Sequence, residues 1–204
     1  MDDIVKQAMA KWPNVPDCYG WLALDARGAW RMRDERAQQL GLAGDKVIQT
    51  ALLAFINRNY EVDGRGCWFF QNGPQRVFVN LEATPYIART DPVHGLTVQT
   101  GAAIVPEAAL LTESGALIVV AGKMVAQVDD RDVAQLLGAF AVDGAAVSDD
   151  ALLAWLDGGA GQLQWQAGAA AIMVERIDSA AVADRFGFVR LPQQGDGGGA
   201  GSTA

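Results

Sequence analysis

Residues 51–56 have the sequence ALLAFI, and residues 151–156 have the sequence ALLAWL. Three further pairs of similar segments flank this match in the same order: 24–30 with 111–117, 37–41 with 134–138, and 70–79 with 165–174. Similar segments in a repeated order are typical of an internal duplication. A duplication constrains the fold more strongly than any single helix or strand does. We therefore predict two related units. The alternative is a pair of similar amphipathic helices, each followed by a hairpin.

Each predicted unit is a hairpin, a helix and a second hairpin. The first unit has strands at 20–24 and 29–33, a helix over 46–59 capped by Asp45, and strands at 67–71 and 76–82 around Asn72-Gly73. The second has strands at 108–112, 116–120 and 123–128, helices over 130–140 and 151–157, and strands at 162–166 and 170–177. The predicted fold class is α+β, with two repeated hairpin–helix–hairpin units and an extra N-terminal helix.

The predicted domain organisation has four segments. Residues 1–14 form the N-terminal helix, 15–100 the first unit, 101–192 the second unit, and 193–204 a Gly-rich tail. The tail has little to bury, so we predict that it is disordered.

Composition excludes several classes of protein. Half of the 204 residues are hydrophobic and one fifth are charged, which is unlike a disordered chain. The net charge of −8 and the pI near 4.6 argue against a nucleic-acid-binding protein. No run of 18 apolar residues is present and the N-terminus lacks the apolar core of a secretory signal, so we expect no membrane span and a cytoplasmic location.

The reactive side chains form no recognisable catalytic set. Cys18 and Cys67 are far apart in sequence, His94 is the single histidine, and the serines lie in a turn, at helix starts and in the tail. No zinc-ligand spacing and no phosphate-binding glycine loop is present. We predict no catalytic residues, no metal site and no cofactor, so that enzyme activity is disfavoured although it stays open.

The candidate ligand-binding residues are Arg31, Arg33, Trp30 and Trp21. Arg31 and Arg33 share one face of a predicted strand, opposite Trp30, with Trp21 just upstream. Two guanidinium groups can clamp a carboxylate or phosphate, and an aromatic floor would help to bind a planar or apolar ligand. In the alternative interpretation the tryptophans are core and the arginines are solvated, paired with Asp34, Glu35 or Glu82.

Three segments carry a resemblance to a known family. Residues 11–21 (KWPNVPDCYGW), 24–34 (LDARGAWRMRD) and 66–79 (GCWFFQNGPQRVFV) resemble a family of uncharacterised proteobacterial proteins, most specifically in WPNVP at 12–16. This resemblance implies no activity. More loosely, the hairpin, helix and Thr-Pro-containing strand are similar to a second uncharacterised bacterial family, which is built from repeated motifs and has a suggested signalling role.

The leading functional hypothesis is a non-enzymatic cytoplasmic module, with a regulatory role, that binds a small molecule or a protein. The second hypothesis is an enzyme whose site lies in the cleft between the two repeats. The third is a structural or assembly protein that dimerises through an exposed strand edge. A monomer or a homodimer is expected, with neither nucleic acid nor membrane as a partner.

Overall fold

Most of the chain forms short β-strands joined by tight turns. The structure, a computed structural model, describes residues 1–195, and within them it has sixteen strands and six α-helices. Helices account for 24% of the residues, so the protein is mostly β. Of the predicted disordered tail at 193–204, residues 196–204 lie outside the described part.

The bounds of the elements are as follows. The strands are β1 (Cys18–Leu24), β2 (Trp30–Met32), β3 (Asp45–Lys46), β4 (Tyr60–Val62), β5 (Trp68–Asn72), β6 (Gln75–Leu81), β7 (Tyr86–Asp91), β8 (Gly95–Val98), β9 (Ala103–Ile104), β10 (Ala108–Thr112), β11 (Leu117–Ala121), β12 (Met124–Val128), β13 (Phe140–Val142), β14 (Ala145–Ala146), β15 (Leu163–Ala167) and β16 (Ala170–Ile177). The α-helices are α1 (Asp3–Lys11), α2 (Glu35–Gln39), α3 (Thr50–Arg58), α4 (Asp130–Leu137), α5 (Asp149–Leu156) and α6 (Val182–Phe186), and a 3₁₀ helix spans Ser179–Ala181.

The chain divides into two compact units. Unit 1 comprises Met1–Asp25, Ala29–Glu82 and the chain from Gly187 onward, and unit 2 comprises Ala26–Gly28 and Ala83–Phe186. The domain boundaries at residues 15, 101 and 193 remain predictions from the sequence.

Unit 1 is built on a six-stranded mixed sheet. Its strand order is β3-β2-β1-β6-β5-β4, and all neighbours are antiparallel except β1 and β6, which run parallel. One face of the sheet carries the core residues Leu22, Leu24 and Trp30, which are buried because cross-strand partners point to the same side. Helix α3 packs on β5, where the rings of Phe55 and Phe70 meet edge to face at 5.3 Å.

Unit 2 is built on a ten-stranded mixed sheet in the order β14-β13-β15-β16-β10-β11-β12-β7-β8-β9. Two neighbouring pairs, β16 with β10 and β12 with β7, are parallel, and the others are antiparallel. Apolar side chains from β7 to β16 form one large core with Trp155 of α5 and with Trp165, whose ring lies 5.8 Å from that of Phe140.

The predicted α+β fold of two hairpin–helix–hairpin repeats is wrong. The six helices are short, and two large mixed sheets, with six and ten strands, determine the architecture. The prediction rested on local similarity, whereas the sheets depend on pairing between distant segments, such as β1 with β6. The helix predicted over 46–59 is also shorter than expected, because Asp45 and Lys46 form β3 and the helix begins at Thr50.

Several local predictions are confirmed. The hairpins around 25–28 and Asn72-Gly73 are present, as are the N-terminal helix and the helix that follows Ser148. Ser148 caps α5 by accepting a hydrogen bond from the Ala151 backbone N–H at 3.2 Å. Within the described residues, no helix combines the length and apolar character that a bilayer crossing requires.

Candidate functional site

A tight loop at residues 41–45 organises the free edge of the unit 1 sheet. After β2, Asp34 caps α2 by accepting the Ala37 backbone N–H at 2.7 Å, and the chain then returns along β2 to form β3. Gly44 has a φ of +82°, and a Cβ at this position would lie 2.3 Å from the Met32 carbonyl oxygen. Only glycine therefore lets the loop lie this close to β2, so Gly44 fixes the shape of the edge.

The candidate site is a cavity of about 320 Å³ on the face of this sheet opposite to the side chains of Leu22 and Trp30; we call it the arginine cavity. Register places Arg31 of β2 opposite Ala23 of β1 and Ala23 beside Asn80 of β6, so their side chains share this face. The cavity is lined by Ala23, Leu24, Asp25, Arg31, Arg33, Gly41, Leu42, Ala43, Asn80, Leu81, Glu82 and Leu191.

Within this cavity, Arg31 is neutralised by a carboxylate. Its Nε and Nη2 both lie 2.8 Å from Oδ2 of Asp25, while Oδ1 of Asp25 accepts the Ala29 backbone N–H at 2.8 Å. Arg31 thus ties β2 to the turn that precedes it. The sequence offered Asp34, Glu35 or Glu82 as its partner, and the structure places Asp25 there.

Arg33 differs, because its guanidinium contacts only backbone carbonyl groups. Nε donates to the Leu42 carbonyl oxygen at 3.0 Å, and Nη2 donates to that of Ala37 at 3.5 Å. Among the described residues, no carboxylate oxygen lies within 4.0 Å of Arg33. The cavity therefore contains one guanidinium that forms no ion pair with the described residues.

The two candidate tryptophans lie outside the cavity lining. Trp30 is 1% exposed on the opposite sheet face, where its Nε1 donates to Asn57 Oδ1 at 2.8 Å and its ring meets Tyr60 edge to face at 5.0 Å. Trp21 is 40% exposed, and its carbonyl oxygen accepts the Arg33 backbone N–H at 2.9 Å. The structure thus brings Arg31 and Arg33 together and holds Trp30 in the core.

Of the twelve lining residues, only Arg31 and Arg33 were predicted from the sequence, and Asn80 and Leu191 are two of those missed. Asn80 reaches the cavity because β6 runs parallel to β1, and Leu191 reaches it because Leu81 and Arg190 are joined by a backbone hydrogen bond of 2.8 Å. Both contacts join segments that are far apart in the chain, so no local pattern could have revealed them.

Unit 2 contains a cluster of buried charges at the start of α4. Asp129 accepts hydrogen bonds from Arg131 Nε at 2.9 Å and Nη2 at 2.5 Å, and Asp132 accepts from Arg89 Nε at 2.7 Å and the Thr90 N–H at 2.8 Å. The Arg131 hydrogen bond is the main cause that lowers the pKa of Asp129 to about 2, and the Arg89 hydrogen bond lowers the pKa of Asp132. Because these carboxylates are committed to protein donors, the cluster anchors α4 to β7 and is a structural element.

The side chains considered for covalent or metal chemistry are dispersed. Cys67 is buried in unit 1, and burial raises the pKa of the Cys18 thiol. His94 is exposed in unit 2, in the turn between β7 and β8. Over residues 1–195, no group of three or more His, Cys, Asp or Glu side chains is arranged to hold a metal ion.

Comparisons with known proteins assign the chain to a family of unknown function. No curated protein matches the chain. A solved structure to which it is similar is a DUF1285 family protein from Silicibacter pomeroyi DSS-3, with 12% identity over 89% of this chain and 98% of that chain and a TM-score of 0.46, too low to support further conclusions. The DUF2944 model, described as "Protein of unknown function (DUF2946)", matches residues 1–193. The chain therefore belongs to the DUF2944 family, whose function is unknown.

Proposed function

We propose that unit 1 is a non-enzymatic binding module whose ligand is a small carboxylate with a short apolar body, held in the arginine cavity. The observation that carries this proposal is the environment of Arg33, a guanidinium that lines a concave site without a carboxylate partner. A planar guanidinium matches the geometry of a carboxylate and can donate two parallel hydrogen bonds to it.

The charge of the lining favours a singly charged ligand. Arg31 is already paired with Asp25 at 2.8 Å, so Arg33 is the one guanidinium of the lining without an ion pair, and Glu82 makes the formal charge of the lining zero. A polyphosphate or a nucleic-acid backbone would bring several negative charges to this single cation. A monocarboxylate matches it one to one.

The size and walls of the cavity favour a small aliphatic ligand. Its volume of about 320 Å³ is at the lower end of the range for small-molecule sites, which is about 300–1,000 Å³. The exposed side chains of Leu42 and Leu191, with Ala23 and Ala43, contribute apolar surface to the lining. An apolar body of a few carbon atoms would be removed from water against these side chains, which adds to the charge interaction.

A thermal-shift screen with monocarboxylates of increasing chain length tests the proposal. A ligand at 100 times its Kd stabilises its site by about 2.7 kcal/mol, which for a chain of this size is roughly 5–11 °C in Tm. We expect Arg33→Gln to abolish the shift and Arg33→Lys, which keeps the charge but loses the planar fork, to retain part of it. Arg58→Gln removes an exposed arginine on α3 that does not line the cavity, and it should leave the shift unchanged.

Two results would contradict the proposal. One is a screen without any shift for a protein that unfolds cooperatively, which would favour a protein partner instead. The other is a shift that persists unchanged in Arg33→Gln, which would place the ligand elsewhere. The cytoplasmic location and the monomeric or homodimeric state remain predictions from the sequence.

A further inference from the structure

A second cavity lies at the same sheet edge, on the other face of β2. It has a volume of about 380 Å³ and we call it the Met32 cavity; its lining residues are Met32, Asp34, Arg36, Ala37, Leu42, Ala43, Gly44 and Asp45. Register pairs Met32 with Asp45, so both side chains point away from the face that carries Arg31 and Arg33. The loop at 41–45 therefore separates the two cavities, with Leu42 and Ala43 contributing to both linings.

The Met32 cavity is lined by exposed charges of both signs, one arginine and two aspartates. Arg36, on α2, and Asp45, on β3, make no side-chain hydrogen bond or ion pair with any described residue. Their charged atoms are also more than 4.0 Å from each other. Asp34 is also a carboxylate of this lining, but its Oδ1 accepts the Ala37 backbone N–H at 2.7 Å, so its side chain is held as the cap of α2. The two free charges therefore face the same space without neutralising each other.

The backbone that carries Arg36 and Asp45 is held in place by several contacts, which limits how far apart the two side chains can lie. Gly44 lies against the Met32 carbonyl group, and the Arg33 guanidinium donates to the Leu42 carbonyl oxygen at 3.0 Å from the other side. On the helix side, the Leu42 N–H donates to the Ala37 carbonyl oxygen at 2.8 Å. These contacts fix β3 and α2 on either side of the cavity.

We propose that the Met32 cavity binds a small zwitterion, a ligand that carries one carboxylate and one ammonium group, as a free amino acid does. Arg36 receives the carboxylate through paired N–H donors, and Asp45 receives the ammonium group. A ligand with a single charge would desolvate the opposite protein charge without pairing it, which is unfavourable. This site is separate from the arginine cavity, and its ligand differs in chemistry.

Methyl NMR of Met32 gives a readout that is specific to this cavity. The protein is labelled at the methionine methyl groups, and the Met32 signal is assigned with Met32→Leu among the five methionines of the chain. Glycine, β-alanine and 4-aminobutyrate are titrated as probes because their two charges are progressively further apart. We expect at least one probe to shift the Met32 signal to saturation with a Kd in the millimolar range or below. A Kd of about 1 mM corresponds to a standard binding free energy of about −4 kcal/mol. The signals of Met124 and Met173, in unit 2, should stay in place.

Variants and singly charged analogues identify the groups responsible. Arg36→Gln and Asp45→Asn should each weaken binding about tenfold or more, since each removes one charge-assisted contact. Glu35→Gln, at an exposed acid on the same helix that does not line the cavity, should have no effect. In the wild-type protein, propionate and propylamine should each bind at this site about tenfold more weakly than β-alanine.

The proposal is overturned if no probe produces a saturable shift of Met32, or if propionate or propylamine binds there as well as β-alanine. Equal binding to the wild type and to both Arg36→Gln and Asp45→Asn would overturn it as well. The analogue comparison uses the unmodified protein, so it holds even if a variant is unstable. Propionate bound in the arginine cavity would depend on Arg33 and not on Arg36 or Asp45, so failure at one cavity is distinguishable from failure at the other.

Discussion

Arg31 lies on β2 and Arg33 directly after it, and the two have opposite roles. Arg31 is a stabilising residue, because its pair with the mostly buried Asp25 closes the turn before β2. We expect Arg31→Ala to lower the free energy of unfolding by about 1–2 kcal/mol, and Arg33→Ala to lower it by no more than about 0.5 kcal/mol. Urea unfolding of both variants measures the difference between the two losses of stability. A double-mutant cycle of Arg31→Ala with Asp25→Asn should give a favourable interaction free energy between Arg31 and Asp25.

An equal loss of stability in Arg31→Ala and Arg33→Ala would contradict this assignment. It would mean that the carbonyl contacts of Arg33 hold the loop as firmly as the ion pair of Arg31 holds the turn. Arg33 would then be a structural residue, which would weaken the case for the arginine cavity as a ligand site.

Because of Asp129, we expect unit 2 to become less stable at acid pH. Its pKa is about 2 in the folded protein and 3.8 in the unfolded chain, chiefly because Arg131 donates hydrogen bonds to it. A lowered pKa stabilises the fold above the unfolded value, and that stabilisation is lost as the pH falls through the folded value. The shift corresponds to about 2 kcal/mol, which is lost between roughly pH 5 and pH 2.

Urea unfolding at several pH values in this range measures the loss through fluorine-labelled Trp165 in unit 2. In Asp129→Asn we expect a neutral-pH destabilisation of about 2 kcal/mol, because the charge-assisted hydrogen bonds from the half-exposed Arg131 are weakened, and a smaller decrease with acid. The decrease that remains belongs to Asp132, whose pKa is also lowered. Asp184→Asn, at an exposed acid on α6, should keep the full wild-type slope. An unchanged slope in Asp129→Asn would contradict the assignment.

At the scale of the element, the sequence predicted what is local and missed what is distant. The hairpin near Asn72-Gly73 could be predicted, although the turn lies one residue later than expected. Asn72 pairs with Gln75, so Gly73 and Pro74 form the two-residue turn, and Gly73 supplies the positive φ of +58° that its first position needs. The parallel pairing of β1 with β6 could not be, since nothing in either strand identifies a partner more than fifty residues away. Alternation predicted that Arg31 and Arg33 share one face, and both line the arginine cavity, whereas Asn80 and Leu191 required the pairing.

The close contact between Gly44 and β2 should contribute to the stability of the loop at 41–45. In Gly44→Ala the new Cβ would clash with the Met32 carbonyl oxygen and take a positive φ, so we expect a loss of about 2–3 kcal/mol. Gly41→Ala is the matched control, because Gly41 also has a positive φ but its Cβ would meet nothing within 4 Å; it should cost about 1 kcal/mol. Urea unfolding gives both values, and equal losses would show that the contact with β2 is unimportant.

At the scale of the whole molecule, the negative charge is unevenly distributed. In the described part of unit 1, ten lysines and arginines balance ten aspartates and glutamates, whereas unit 2 has six of the former and thirteen of the latter. Unit 2 therefore carries −7 of the total charge of −8, and Asp196 carries the remainder. The sequence shows the total, but the distribution depends on which segments fold together. Unit 1 is thus locally neutral, which is compatible with its proposed anion site.

The excess charge of unit 2 leads to a prediction about salt. Mutual repulsion lowers its stability, and raising the ionic strength from about 10 mM to about 150 mM shortens the screening length from about 30 Å to about 8 Å. We expect the urea midpoint of unit 2 to rise over this range. Helix α5 allows repulsion to be separated from the helix dipole, because it has Asp149 in its first turn and Asp157 at its C-terminal cap.

Asp149→Asn and Asp157→Asn change the net charge of unit 2 equally, so repulsion alone predicts the same small gain for both. The dipole predicts opposite signs of about 0.3–1 kcal/mol: a gain for Asp157→Asn, whose carboxylate faces the negative end of α5, and a loss for Asp149→Asn. Fluorine signals of Trp155 and Trp165 at low salt measure both changes, and the difference should shrink at about 150 mM salt as screening increases. Equal gains would show that net charge dominates at this helix, while equal losses would contradict both explanations.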